Sequence, residues 1–215
     1  MTALTYDCGD PNTRKAGLAA ATRSVQRGEV VVLPTDTVYG NGVDAFTPAA
    51  VDALLAAKRR GRDMPVPVLV GSWATLDGLV DALPPEADLL RKAFWPGGLT
   101  LVVRHAAALA WDLGDAHGTV AVRMPLHPVA VELLQRTGPM AVSSANVSGS
   151  PPATNADEAR AQLGEDVAVY LDAGPSGDPV ASSIVDCTVH PPRLLRAGAV
   201  STEALRGEVP ELVTS

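Results

Sequence analysis

The sequence predicts an α/β fold in which helices cover a mixed sheet. Two observations lead there. Short runs rich in Val, Leu and Ala alternate with stretches of helical periodicity through the first two thirds of the chain. No repeat, low-complexity tract or linker divides the 215 residues, so one domain is expected over 1–215, with its core at about 15–205. The 47% hydrophobic content supports a substantial interior, and the 4% aromatic content means that interior is mostly aliphatic.

Residues 13–27 have helical spacing, with Thr13 a plausible N-cap and Gly28 beyond the C-terminus. The run Val30–Leu33 reads as a buried strand ended by Pro34. Thr47-Pro48 opens the next helix, with proline at its first position. Val51, Leu54, Leu55 and Lys58 fall on one stripe of that helix, which places Lys58 toward the core. Further strands are expected at 66–70, 99–103, 119–124, 140–143, 167–171, 183–187 and 193–196, and helices at 73–80, 85–94, 128–136, 156–163 and 201–206. Asn155 followed by Glu158 matches an N-cap with a carboxylate at N3.

The formal net charge of −7 argues against tight, sequence-independent nucleic-acid binding, though a local basic cleft is compatible with it. No apolar stretch reaches the roughly 18 residues that span a bilayer, and the start, Met1–Asp7, lacks the regions of a secretory signal. Cys8 and Cys187 stand far apart, which favours free thiols in a reducing cytoplasm over a disulfide.

Five segments concentrate polar chemistry. Pro34-Thr35-Asp36-Thr37-Val38-Tyr39-Gly40 delivers two hydroxyls, a carboxylate and a phenol at a strand's C-terminal edge, where open α/β sheets bind ligands. Lys58-Arg59-Arg60-Gly61-Arg62 gathers cations at a helix C-terminus: plain dipole pairing explains it, and an anion site explains it too. Thr119–Pro125 is a strand ending in Arg123, whose guanidinium fits either a carboxylate or phosphate or a surface ion pair. Ser143-Ser144-Ala145-Asn146-Val147-Ser148-Gly149 is a hydroxyl- and amide-rich loop after a strand, able to line a nucleotide pocket or to satisfy its own backbone. Ser182–Asp186 and Arg193–Arg196 look like paired strands. Alternation allows only one of the two arginines to face a cleft, and Arg196, just before Ala197-Gly198, is the choice.

Absences narrow the chemistry. There is no P-loop and no Gly-x-Gly-x-x-Gly after a strand. No Gly-x-Ser-x-Gly elbow supports a hydrolase triad. His105, His117, His127 and His190 lack metal-ligand spacing, so no protein-bound structural metal is expected.

Taken in order, these segments resemble the YrdC-type threonylcarbamoyl-AMP synthases. The resemblance rests on Pro34–Gly40, Lys58 with Arg60, Trp95-Pro96-Gly97 with Leu99-Thr100-Leu101, Val122–Pro125 with His127-Pro128, Ser144–Gly149, Ser183–Asp186, and Leu195-Arg196 with Gly198. It implies a twisted sheet with a concave basic cleft, and the short, single-domain bacterial type. It implies a nucleotidyltransferase that turns ATP, L-threonine and bicarbonate into threonylcarbamoyl-AMP and pyrophosphate, the first step toward N6-threonylcarbamoyladenosine in tRNA. Departures are Asn41 for a usual Leu, Gly61 and Gly98 for usual prolines, Ala197 for Pro, and Leu69 where some members place a threonine-contacting His.

On that resemblance, Lys58, Arg60 and Arg196 are expected at the triphosphate, with Lys58 and Arg60 catalytic. Thr119, Ser144 and Asn146 are expected at the nucleotide, and Thr35, Arg123, Ser143 and Ser183 at threonine. Mg2+ is expected to arrive with ATP. Separate transfer proteins would take the product, and tRNA binding would be weak at most. Two other readings stay open: a non-enzymatic RNA-binding module, disfavoured by the acidic charge and few aromatics, and a carbamoyl-adenylate-forming domain that takes carbamoyl phosphate.

Overall fold

The computed structural model describes residues 3–177 and 179–214. Its elements, in chain order, are β1 (Leu4–Asp7), α1 (Pro11–Gln26), β2 (Val31–Leu33), β3 (Gly40–Asp44), α2 (Pro48–Ala57), β4 (Val68–Leu69), α3 (Trp73–Asp77), α4 (Pro85–Phe94), β5 (Leu99–Arg104), β6 (Thr119–Arg123), α5 (Pro128–Thr137), β7 (Met140–Ser144), α6 (Ala156–Leu163), β8 (Val169–Asp172), β9 (Ser183–Asp186), β10 (Arg193–Arg196), α7 (Thr202–Glu208) and β11 (Val213–Thr214). The strands form one 11-stranded mixed sheet in the order β1-β8-β2-β3-β7-β4-β6-β5-β9-β10-β11, twisted as sheets of L-residues are.

Local rules explain most boundaries. Asp10, not Thr13, caps α1: its Oδ1 accepts from the Asn12 and Thr13 amides, and Pro11 takes the first helical position. Thr47 precedes Pro48 as expected, yet its hydroxyl donates to Asp44 rather than capping the helix. The Asn155 side chain accepts from the Glu158 amide, while the Glu158 carboxylate reaches one residue further back, to Thr154. Three strands escaped the sequence reading. β3 is the informative one, because Gly40-Asn41-Gly42 looks like a turn. A Cβ on Gly40 would stand 2.7 Å from Val142, and one on Gly42 would stand 2.9 Å from Met140 and Val142. The glycines let β3 lie close against β7.

The two faces of the sheet are covered differently. One face packs against α2, α3, α4, α6 and α7 through Val51, Leu54, Leu76, Leu90, Leu163 and Leu205. On the other face, α1 and α5 lay Leu18, Val25, Leu133 and Leu134 over Val31, Leu33, Leu69, Met140, Val142 and Val169. Register continues that second face past the helices: Leu69 pairs with Arg123, Ala121 with Val102, and Thr100 with Ile184. Among the described residues no helix covers the strands there, and the exposed half-face becomes the floor of a cavity.

The turn closing that floor is tight. A Cβ on Gly198 would lie 2.2 Å from the Ala181 carbonyl oxygen and 2.6 Å from the Ser182 carbonyl carbon. Gly198→Ala must therefore push backbone apart, at a cost of about 1–3 kcal/mol. A urea-unfolding midpoint equal to wild type would show that the turn gives way freely.

Candidate active site

A cavity of about 560 Å³ lies on the open half-face. Its lining includes Arg60, Arg123 and Arg196, the hydroxyls of Thr35, Thr37, Thr100, Thr119, Ser143, Ser144 and Ser182, and the apolar side chains of Leu69, Val102 and Ile184. Among the described residues, no Asp or Glu side chain lines it. The site therefore occupies the face of β6, β5, β9 and β10 as well as the strand edge that the sequence pointed to.

Arg123 is the organiser. It is 6% exposed. Its Nε donates to Gly97 O (2.8 Å), Nη1 to Thr37 Oγ1 (2.8 Å) and Nη2 to Asp36 Oδ1 (2.7 Å). Three of its five N–H bonds are thus engaged, which leaves two for a ligand. Burial lowers its pKa, and the Asp36 carboxylate opposes that shift. Asp36 Oδ1 also accepts from the Leu126 amide. Within the same loop, Thr35 Oγ1 donates to Val38 O (2.6 Å) and meets Thr37 Oγ1 at 3.0 Å. Asp36 and Thr37 were visible in the motif, but their task of anchoring Arg123 was not assigned from sequence.

Arg60 comes from the loop after α2. Its Nε and Nη2 donate to Met64 O and Pro65 O, and its Nη1 donates to Ser143 Oγ (3.3 Å). Arg196 comes from β10, where the register shifts between Leu194 and Arg196. Its Nε and Nη2 donate to Ser182 O and Ser182 Oγ. Burial lowers the pKa of both guanidiniums. Arg62, in the same cationic segment as Arg60, instead makes surface ion pairs with Asp52 and Asp112. Thr119 donates to Ala116 O while lining the cavity.

Three expected residues do not line the cavity. Ser183 is fully buried, and its hydroxyl donates to Val200 O and accepts from Val200 N. Ser182 takes its place: it faces the cavity and shares a 2.8 Å hydrogen bond with Thr100. Alternation along β9 accounts for the exchange, since Ser183 and Val185 share the core side while Ile184 lines the cavity. Asn146 closes its own loop, its Nδ2 donating to Val147 O and Ser150 O.

Lys58, 2% exposed, sits behind the cavity wall. Its Nζ donates to Ser144 O, to Asn146 O (2.7 Å) and to Asn146 Oδ1 (3.4 Å). The stripe argument placed it correctly, but the carbonyls that receive it come from residues far along the chain and leave no mark near position 58.

Fold and site together define an α/β protein with a ligand-sized cavity on an open sheet face. The chain belongs to the Sua5/YciO/YrdC family: that family's model, described as telomere recombination, matches residues 23–198. It is 62% identical over 201 residues to a Mycobacterium tuberculosis protein whose name assigns it to the threonylcarbamoyl-AMP synthases, an alignment covering 94% of this chain and 93% of that one. It is 36% identical over 200 residues to the Bacillus subtilis threonylcarbamoyl-AMP synthase, covering 92% of this chain and 58% of the relative. Its structure resembles that of Pyrococcus abyssi Sua5 complexed with L-threonine, with a TM-score of 0.91 and 31% identity over 100% of this chain. This chain spans 63% of that longer one.

Lys58 gives a test of the site's electrostatics. Burial, and secondarily the Arg60 charge, pulls its pKa from 10.5 to about 8. The unfolded chain thus binds more protons between those values, so the Lys58 contribution to stability is complete above 10.5 and is lost as pH falls through about 8. The stability of wild type relative to Lys58→Met is expected to rise between about pH 7.5 and about pH 10. A pH-independent difference in denaturant melts would contradict the assignment.

Proposed function

We propose that this chain is a threonylcarbamoyl-AMP synthase, a nucleotidyltransferase joining ATP, L-threonine and bicarbonate into threonylcarbamoyl-AMP and pyrophosphate. The observation that carries the reading is the cavity lining: guanidiniums and hydroxyls converge there and, among the described residues, no carboxylate joins them. Such a lining suits two anionic partners that must meet. The names of the mycobacterial and Bacillus relatives, and the threonine complex of the Pyrococcus neighbour, support the same substrates.

The chemistry asks for placement and charge neutralisation rather than a covalent nucleophile. The threonine amine adds to CO2 derived from bicarbonate and gives a carbamate with loss of a proton. A carbamate oxygen then attacks the α-phosphorus, the bond to the bridging oxygen breaks, and pyrophosphate departs with the electron pair. Arg123 offers its two remaining N–H groups to the threonine carboxylate, and Thr35 and Ser143 hold the polar groups of threonine, with Ser182 in place of Ser183. Arg60 and Arg196 take the triphosphate, and Thr119 and Ser144 the nucleotide. From behind the wall, Lys58 acts on the triphosphate and Asn146 on the nucleotide.

Mg2+ would come with ATP and shield its phosphates. The described residues contain no group of three or more His, Cys, Asp or Glu able to hold a metal ion, so hydroxyls and water would complete its shell. In this reading, residues 1–215 act as one catalytic domain in the cytoplasm, tRNA is touched weakly at most, and separate transfer proteins consume the product. No helix among the described residues is long and apolar enough to cross a membrane.

Arg60→Ala removes a charge-assisted contact and is expected to slow adenylate formation at least about tenfold, from the roughly 1.5–3 kcal/mol of such a bond. Undiminished turnover would remove Arg60 from the site. Incubation with ATP, labelled bicarbonate and threonine, followed by mass detection, should show threonylcarbamoyl-AMP only when all three are present. Pyrophosphate release at equal rate without threonine would indicate a plain pyrophosphohydrolase instead. Salt-sensitive tRNA binding without ATP turnover would favour the RNA-binding module.

A further inference from the structure

The carbonyl oxygen of Ser144 is over-supplied with donors. It accepts from the Asn146 amide at 2.9 Å and from Lys58 Nζ. The Asn41 side-chain amide, turned as its acceptors require, places its nitrogen 3.2 Å from the same oxygen and 2.9 Å from Ser143 O. A carbonyl oxygen offers two lone pairs, so one of the three donors is surplus. Asn41 is fully buried on β3, directly opposite Ser143 on β7. Its own contacts with the two serine carbonyls do not depend on Lys58. The Ser143–Ser144 segment, which lines the cavity, therefore keeps its carbonyls satisfied when the ammonium leaves Ser144.

We infer that Asn41 is a positioning residue that lets Lys58 turn one N–H from the Ser144 carbonyl to an anion in the cavity, its contacts with Asn146 kept, without collapse of the wall behind it. The inference rests on the proposed role of Lys58 toward phosphate. Without the Asn41 amide, departure of Lys58 strips Ser144 O of a second donor, and anion binding must offset that loss.

Inorganic pyrophosphate binding, measured by calorimetry, tests this without requiring turnover. Lys58→Met should weaken binding at least tenfold, as loss of a charged contact does. Asn41→Leu should weaken it about fivefold, the size of one neutral hydrogen bond. Asn41→Asp, which keeps the side-chain size but cannot donate, should act in the same direction, and thermal melts of both variants identify any that fail to fold. In the Lys58→Met background, Asn41→Leu should have no further effect, because its action passes through the ammonium. Equal weakening in both backgrounds, or unchanged affinity of folded Asn41 variants, overturns the inference. These couplings observed in a protein that makes no threonylcarbamoyl-AMP would remove the synthase reading and keep the role of Asn41. Adenylate formation with folded Asn41 variants of unchanged pyrophosphate affinity would do the reverse.

Discussion

The buried guanidinium of Arg123 is the constraint on which the site depends. It joins three chain segments: the end of β6, the loop from Pro34 to Tyr39, and the turn at Gly97, whose amide also donates to Met124 O. Withdrawing such a cation from water is costly, and only good geometry with further hydrogen bonds offsets the cost. Asp36 supplies the countercharge at 2.7 Å, and Asp36 itself is steadied by the Leu126 amide. Because Thr37 Oγ1 accepts from Arg123 and also meets Thr35 Oγ1, the guanidinium sets the hydroxyl of Thr35 through one intermediary. Loss of Arg123 would therefore reach Thr35 and Gly97 as well as any ligand.

Around that tie, the cavity follows from incomplete covering of the sheet. Helices α1 and α5 cover the face from β8 to β4, and beyond β4 the strands turn the same face to open space. On most sheets such a surface would be an apolar liability. Here β6 alternates Thr119, Ala121 and Arg123 toward the cavity with Val120 and Val122 toward the core. On β6 the uncovered side thus carries polar and small residues, while Leu69, Val102 and Ile184 leave part of the floor apolar.

Much of this pattern was legible. The helical stripe that ends at Lys58, the Asn155 cap and the extent of α4 follow from short-range rules, and the structure agrees with them. Alternation would also have preferred Ser182 to Ser183, had Val185 been used as the marker of the buried side. What could not be read is tertiary. The turn-like Gly40-Asn41-Gly42 is a strand through its pairing with β2 and β7, and its glycines leave room for Val142 and Met140. Arg196 gains its direction from a register shift that its sequence does not announce. The acceptors of Lys58 lie 86 and 88 residues away.

Two kinds of polar group share this site, and hydrogen-bond accounting separates them. Ser183 and Asn146 spend their donors on nearby backbone and so hold loops in place. Arg60, Arg123 and Arg196 keep unengaged N–H groups while their remaining bonds fix the direction of the fork. A guanidinium held this way meets an anion with little loss of side-chain freedom, because its ordering was completed on folding. Lysine cannot be tethered along one edge in that manner, since its three donors leave one rotating nitrogen. With three acceptors around it, the Lys58 ammonium has no spare N–H and must release one of them to meet a ligand. That difference is a physical reason for a site to place arginines at the cavity surface and its one buried lysine a layer behind them.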